Sequence, residues 1–184
     1  MSLVRRIVTV SAVALLAAAL AGGVFASGAR HASATFVDSR GVTIGWARLV
    51  EDATGVVHVN VHVKGLAPGL HGIHIHAAGA CTPTFGDAMG HYNPAPGHQH
   101  GLDNPDGPHA GDLPNLIVNA AGVGRLNATT DHVTLSPGAT TVFDTTTGAV
   151  GSAFIIHANE DDQFTDATNG NSGARIACAV IEAN

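Results

Sequence analysis

Residues 71–81 read HGIHIHAAGAC, which places three histidines and a cysteine in eleven positions. Imidazole nitrogens are common ligands of zinc and copper, and imidazole also exchanges protons near neutral pH. A period of two through HGIHIH puts Ile73 and Ile75 on one face of a strand and His74 and His76 on the other. At strand rise the two histidine Cα atoms stand about 6.6 Å apart, a separation from which two imidazoles can converge on one ion. The pair alone does not make a site, because His58 and His62 also share one strand face in VVHVNVHVK. Further ligand types follow in HYNP (His91), HQHG (His98 and His100), PHAGD (His109 and Asp112) and IIHANEDD (His157). Imidazole and carboxylate at this density suit zinc or copper far better than calcium or magnesium.

The elements that must position these groups are strands. VVHVNVHVK alternates strictly, with Val57, Val59, Val61 and Val63 facing one way and His58, Asn60, His62 and Lys64 the other, the pattern of a half-buried antiparallel strand. TIGWARLV, LIVNA, GRLNATT, SAFIIHA and ARIACAVIE read as further short strands, separated by Gly, Pro, Asn and Asp. No helical periodicity follows the N-terminal apolar run, so the chain is all-β, a sandwich or barrel. Residues 79–115 are rich in Gly and Pro and lack strand character; a loop of that length in a compact domain is expected to be functional or disordered.

The chain has 184 residues, 45% of them hydrophobic, enough for one domain with a good core. Residues 1–26 carry Arg5 and Arg6, an apolar run and then Val24-Phe25-Ala26, and are expected to be a signal peptide cleaved before Ser27. The run from Ile7 to Ala26 is also long enough to be a retained anchor, and the paired arginines suit either general or twin-arginine export. Residues 27–34, with His31, are expected to be a short N-terminal segment ahead of a domain at 35–184. Without the leader, Lys plus Arg falls from 8 to 6 against 14 acids, a net charge near −8. Nucleic acid and anionic membrane are therefore poor partners for the chain as a whole. The two cysteines, Cys81 and Cys178, are expected to form a disulfide in an oxidising compartment. Closing so long a loop stabilises by about 4.7 kcal/mol at most in the chain-entropy model.

Taken in order, GLHGIHIHAAGAC, GHYNP, QHG, HAGDLPN, IIHANEDD and GARIAC resemble the successive motifs of the copper/zinc superoxide dismutases, and residues 35–183 are similar to the exported bacterial branch. The resemblance implies a flattened eight-stranded Greek-key β-barrel, an immunoglobulin-like sandwich, with long metal-binding loops. It implies His74, His76, His91 and His157 as copper ligands, with His91 shared as an imidazolate, and His91, His100, His109 and Asp112 as zinc ligands. Of the adjacent pair His98 and His100, the following glycine and the distance to His109 favour His100. Asp161 resembles the carboxylate that links a copper ligand to a zinc ligand, and Arg175 the arginine beside the copper. Cys81 and Cys178 match the family disulfide. His71 matches a packing histidine, while His58 and His62 are read as solvent-face strand residues and His132 as part of a turn.

The implied activity is conversion of superoxide to dioxygen and hydrogen peroxide by alternate reduction and oxidation of copper, with a structural zinc, in the cell envelope, a periplasm-like space or outside the cell. The resemblance is compatible with a homodimer and with no stable membrane association after signal cleavage. A non-catalytic copper-binding or copper-delivery protein on the same barrel is the second reading. A zinc hydrolase is the third, and the full His/His/His/Asp set argues against it. One departure from better-steered relatives stands out: FTDATNGNSGA, before Arg175, contains no lysine and one acid.

Overall fold

Valine alternation is what builds the barrel wall. In β3 (Val57–Lys64) the four valines are buried and the residues between them face outward, as a strand with one face on a core requires. The computed structural model describes residues 30–184; the expected signal peptide, residues 1–26, lies outside the described residues. The other strands are β1 (Arg30–Asp38), β2 (Thr43–Glu51), β4 (Gly69–His71), β5 (Ile73–His76), β6 (Leu116–Val118), β7 (Val123–Thr130), β8 (Ala153–His157) and β9 (Arg175–Ala183). All pairings are antiparallel, in the order β4-β6-β7-β3-β2-β1-β9-β8-β5. Chain neighbours β3 and β4 are separated in the sheet by β7 and β6, a Greek-key connection. Helix is limited, among the described residues, to the two 3-10 turns Gly86–Ala88 and Asp166–Thr168. No helix among them is long and apolar enough to cross a membrane.

Two features differ from the sequence reading. The sheet has nine strands rather than eight, because the run 69–76 is divided at Gly72 into β4, which pairs with β6, and β5, which pairs with β8. The two outermost strands of the sheet are thus one continuous segment, which nearly closes the barrel. The first strand also starts at Arg30, upstream of residue 35, and His31 lies in register with Val50 of β2. Its inward residues are Ala32, Ala34 and Phe36; two of the three are alanine, so the hydrophobic alternation is too faint to mark a strand.

Gly72 sits where no side chain fits. Its N–H donates to the Asn159 carbonyl and its carbonyl accepts from the His157 N–H, both at 2.8 Å. A Cβ there would come within 2.7 Å of Cβ of Ser172 and 3.2 Å of Cβ of Asp161. The core beneath is filled by Phe36, Leu49, the β3 valines, Ile73, Ile75, Phe154, Ile156 and Ile181, each contributing about 1.5–3 kcal/mol on burial.

Candidate metal centre

β5 holds the centre together from both of its edges. On one side it pairs with β8, with His74 opposite Ile155. On the other, the Ile75 N–H donates to the Gly111 carbonyl and its carbonyl accepts from the Tyr92 N–H, both at 2.8 Å. These contacts draw the long loop onto β5 and place His91 and Asp112 beside His76 and His74. The loop also covers the outward face: His74 and His76 are as buried as Ile73 and Ile75, at 0% and 1% exposure. Alternation separates the two faces as expected, but both are enclosed.

Four imidazoles share one feature. Each has one nitrogen held and the other aimed at a common space. His76 Nδ1 donates to the Met89 carbonyl (2.9 Å), His157 Nδ1 to the Gly173 carbonyl (3.0 Å), His74 Nε2 to Asp161 Oδ2 (2.5 Å) and His91 Nδ1 to Asp112 Oδ1 (2.8 Å). The remaining atoms, His74 Nδ1, His76 Nε2, His91 Nε2 and His157 Nε2, make up four of the six buried side-chain polar atoms left without a hydrogen-bond partner among the described residues. His74, His76, His91 and His157 can present ligand atoms all within 4.8 Å of one another. Orphaned buried nitrogens are costly, and a soft or borderline cation accepting four imidazole lone pairs removes that cost. Burial keeps three of these rings neutral: it lowers His74 to about 3 despite the opposing Asp161, His157 to about 4, and His76 well below its ordinary value.

A second set adjoins the first through His91. Asp112 Oδ1 accepts from His91 and from His100 Nδ1 (3.1 Å), and Oδ2 accepts from the N–H groups of Gly101 (2.8 Å) and His109 (2.9 Å). His109 Nδ1 lies 3.5 Å from His91 Nδ1 and 3.7 Å from Asp112 Oδ1. Four residues here, His74, His91, His100 and Asp112, can present ligand atoms all within 4.8 Å of one another, and His109 lies outside that group beside His91 and Asp112. Three imidazoles and one carboxylate form a donor set that zinc takes in closed sites. Of the two adjacent histidines the structure buries His100 and leaves His98 on the surface.

Asp161 ties the two sets together. Its Oδ2 meets His74 and its Oδ1 accepts from His100 Nε2 at 3.0 Å. Asn115 clamps Asp161 in turn, donating to its carbonyl (2.8 Å) and accepting its N–H (2.9 Å). Sequence reasoning missed Asn115 as a contributor, although it ends the HAGDLPN motif. The carbonyls of Met89 and Gly173, which orient His76 and His157, had no side-chain signal to betray them.

Arg175 opens β9 opposite His157. Its guanidinium donates to the carbonyls of Phe85 (2.5 Å) and Met89 (2.6 Å), so it shares the Met89 oxygen with His76. The same loop is fastened by the Cys81–Cys178 disulfide, with Cα atoms 5.6 Å apart and a separation of 97 positions in sequence. Phe85, Ala88, Ala153 and Ile155 pack around that bridge as a small second core.

A Greek-key barrel bearing two adjoining histidine-rich donor sets on its loops defines a class of metal-binding β-barrel protein. The chain belongs to the copper/zinc superoxide dismutase family: the profile of the family described as Copper/zinc superoxide dismutase (SODC) matches residues 43–181. It is similar to Superoxide dismutase (Cu-Zn) 2 of Aquifex aeolicus, 42% identical over 153 residues that cover 82% of this chain and 85% of that one. It is also similar to the Superoxide dismutase-like protein YojM of Bacillus subtilis, 37% identical over 151 residues, 80% of this chain and 74% of that one. The crystal structure of a SOD-like protein from Bacillus subtilis superposes with a TM-score of 0.73 at 35% identity, covering 80% of this chain and 96% of that chain.

Proposed function

We propose that the chain is an exported superoxide dismutase, with copper held by His74 Nδ1 and by Nε2 of His76, His91 and His157, and zinc held by His91, His100, His109 and Asp112. The observation that carries this reading is the convergence of four orphaned imidazole nitrogens beside a fixed guanidinium. When bound, copper supplies the one-electron exchange that turns one superoxide into dioxygen and another into peroxide, while zinc supplies a redox-inert positive charge. Arg175 receives the anion with a charge that does not titrate at physiological pH and with donors beyond those spent on the loop carbonyls. His91 carries the proton: Nε2 takes it up in the half-reaction that yields dioxygen and returns it to the departing peroxide, while Asp112 keeps the ring in place. Asp161 fixes the orientation of His74 and His100, which sets the tautomer of each ring. The Cys81–Cys178 bridge suits an oxidising compartment outside the cytoplasm.

A relative from Bacillus subtilis is named superoxide dismutase-like, which supports a second function, that of a non-catalytic copper-binding or copper-delivery protein on the same barrel. Metal analysis of the purified mature protein with a dismutation assay separates the two. The expected result is copper, zinc and dismutation together, with copper and activity lost but zinc retained in His157→Ala, and zinc loosened first in Asp112→Ala. Full copper loading without turnover would favour the second reading, and a His157→Ala protein that keeps its copper would overturn the ligand assignment.

A further inference from the structure

The wall formed by β1, β2, β3 and β7 contains none of the metal-site residues, yet its outward face is unlike the rest of the molecule. Its cross-strand rows set Trp46 beside His62 and His62 beside Arg125, then Arg48 beside Asn60 and Asn60 beside Asn127. Lys64 lies one residue further along the outward side of β3 from His62. Arg48, Lys64 and Arg125 are half of the six Lys and Arg residues beyond the leader, in a chain with fourteen acids. No carboxylate occupies an outward position on β2, β3 or β7; the one acid in those strands, Glu51, is buried. Glu182, Asp52 and Asp131 mark the edge of the patch.

At its centre Trp46 is 44% exposed. The Arg48 guanidinium carbon lies 5.3 Å from the indole centroid, and the His62 ring stacks at 5.8 Å and 28°. This stacking orders the Arg48 side chain before any ligand arrives. A groove lined by Thr43, Ile44, Gly45, Trp46, His62 and Lys64 runs beside the indole.

We propose that this wall is a docking surface for an acidic polysaccharide, a linear glycan bearing carboxylates. Cations alternate with the amides of Asn60 and Asn127 at the spacing of a sheet, about 4.8 Å across strands and about 6.7 Å along them. A polymer of charged and hydroxylated rings meets carboxylate and hydroxyl partners together on such a grid. The indole and Ile44 supply an apolar wall to the groove for the C–H side of one ring. A second copy of the chain is disfavoured, since a two-fold contact would set these cations against themselves with no carboxylate between them. A lipid surface is disfavoured because Thr35, Arg48 and His62 flank Trp46, leaving the indole as the one exposed large apolar group on these strands. A single-stranded nucleic acid is disfavoured because Trp46 is the only ring of its kind facing outward from these strands, whereas base stacking uses a series of them.

The test is binding of the intact metal-loaded protein to polygalacturonate at about 50 mM salt, where ion-pair contributions are well expressed. Fully methyl-esterified polygalacturonate, single-stranded DNA and phosphatidylglycerol vesicles serve as comparisons. The expected result is binding to the acid form alone among the two glycans, tighter than to DNA or vesicles. It should weaken about tenfold or more in the triple variant Arg48→Ala, Lys64→Ala, Arg125→Ala, as for the loss of several ionic contacts. Trp46→Ala should weaken it several-fold at unchanged dismutation rate and metal content. Should the triple variant fail to fold, Lys64→Ala and Arg125→Ala singly, at exposed positions, must each weaken binding. No binding, equal binding by the variants, or tighter binding to DNA or vesicles would overturn the proposal.

Discussion

His100 stands apart from the other buried imidazoles. Both of its nitrogens face carboxylates, Asp112 Oδ1 at 3.1 Å and Asp161 Oδ1 at 3.0 Å, so without metal both must donate and the ring is an imidazolium. Burial alone would lower its pKa, but the two carboxylates outweigh it and push it up to about 9. His74 and His157 go the other way, held by burial at about 3 and about 4. The sign for stability follows from which state binds more protons. His100 stabilises the metal-free fold fully below its ordinary value of 6.5, and that contribution is lost as pH rises through about 9. His74 and His157 bind fewer protons folded than unfolded below 6.5, so they make the fold lose stability as pH falls from there toward about 3–4. Melts of the metal-free protein should therefore peak near neutrality and decline on both sides, and zinc should remove the alkaline decline by taking the place of the His100 proton. A metal-free melting temperature that stays flat or rises up to about pH 9.5 would contradict this charge assignment.

At the level of elements, the divided strand and the pinned loop carry the site. Gly72→Ala adds a methyl that meets Cβ of Ser172 at 2.7 Å and Cβ of Asp161 at 3.2 Å. We expect a loss of about 1–3 kcal/mol from overpacking, with weaker metal retention because Asp161 and the His74 ring, 3.3 Å away, are crowded along with Ser172. Calorimetry and dialysis against a chelator measure both, and a variant matching the parent in each would show that the wall can yield. Cys81→Ser should lower stability by up to about 4.7 kcal/mol and loosen the carbonyls that hold Arg175 and His76. Melts of the metal-loaded protein with and without reductant check this, and identical curves would refute it. Both elements were partly legible beforehand. The period of two in HGIHIH shows which residues share a face, but a split at Gly72 depends on Ser172 and Asp161, a hundred residues or so away in the chain, which no local pattern carries. The ligand types were visible as His and Asp in motifs. The groups that orient them are largely backbone carbonyls of Met89, Gly173 and Phe85 and the N–H of Gly101, which any residue can supply. β1 escaped notice at its start for a related reason: alanine buries well but signals weakly.

For the whole molecule, charge is unevenly placed. Residues 27–184 sit near −8, and the segment before Arg175 offers no lysine, so an anion approaching the metal centre meets attraction only near Arg175. At 0.15 M ionic strength the Debye length is about 8 Å, which screens remote carboxylates but not a guanidinium beside the metal ligands. Arg175→Glu should slow dismutation sharply, Arg175→Ala less, and Arg175→Lys least, at equal copper content. Equal rates for the Ala and Glu variants across a salt series would mean that Arg175 merely braces the loop through Phe85 and Met89. The sheet order also has a temporal meaning. β9 lies between β1 and β8, and so joins a six-strand portion ending in β1 to the pair β8 and β5. That pair bears His74, His76 and His157, whereas β9 follows every other described strand in the sequence and so is synthesised after them. Pairings this distant in sequence form slowly. The polypeptide therefore stays open until Arg175–Ala183 has been made and paired, and the pocket for its ions is completed only then, so the compartment in which the finished chain folds decides which metals fill it.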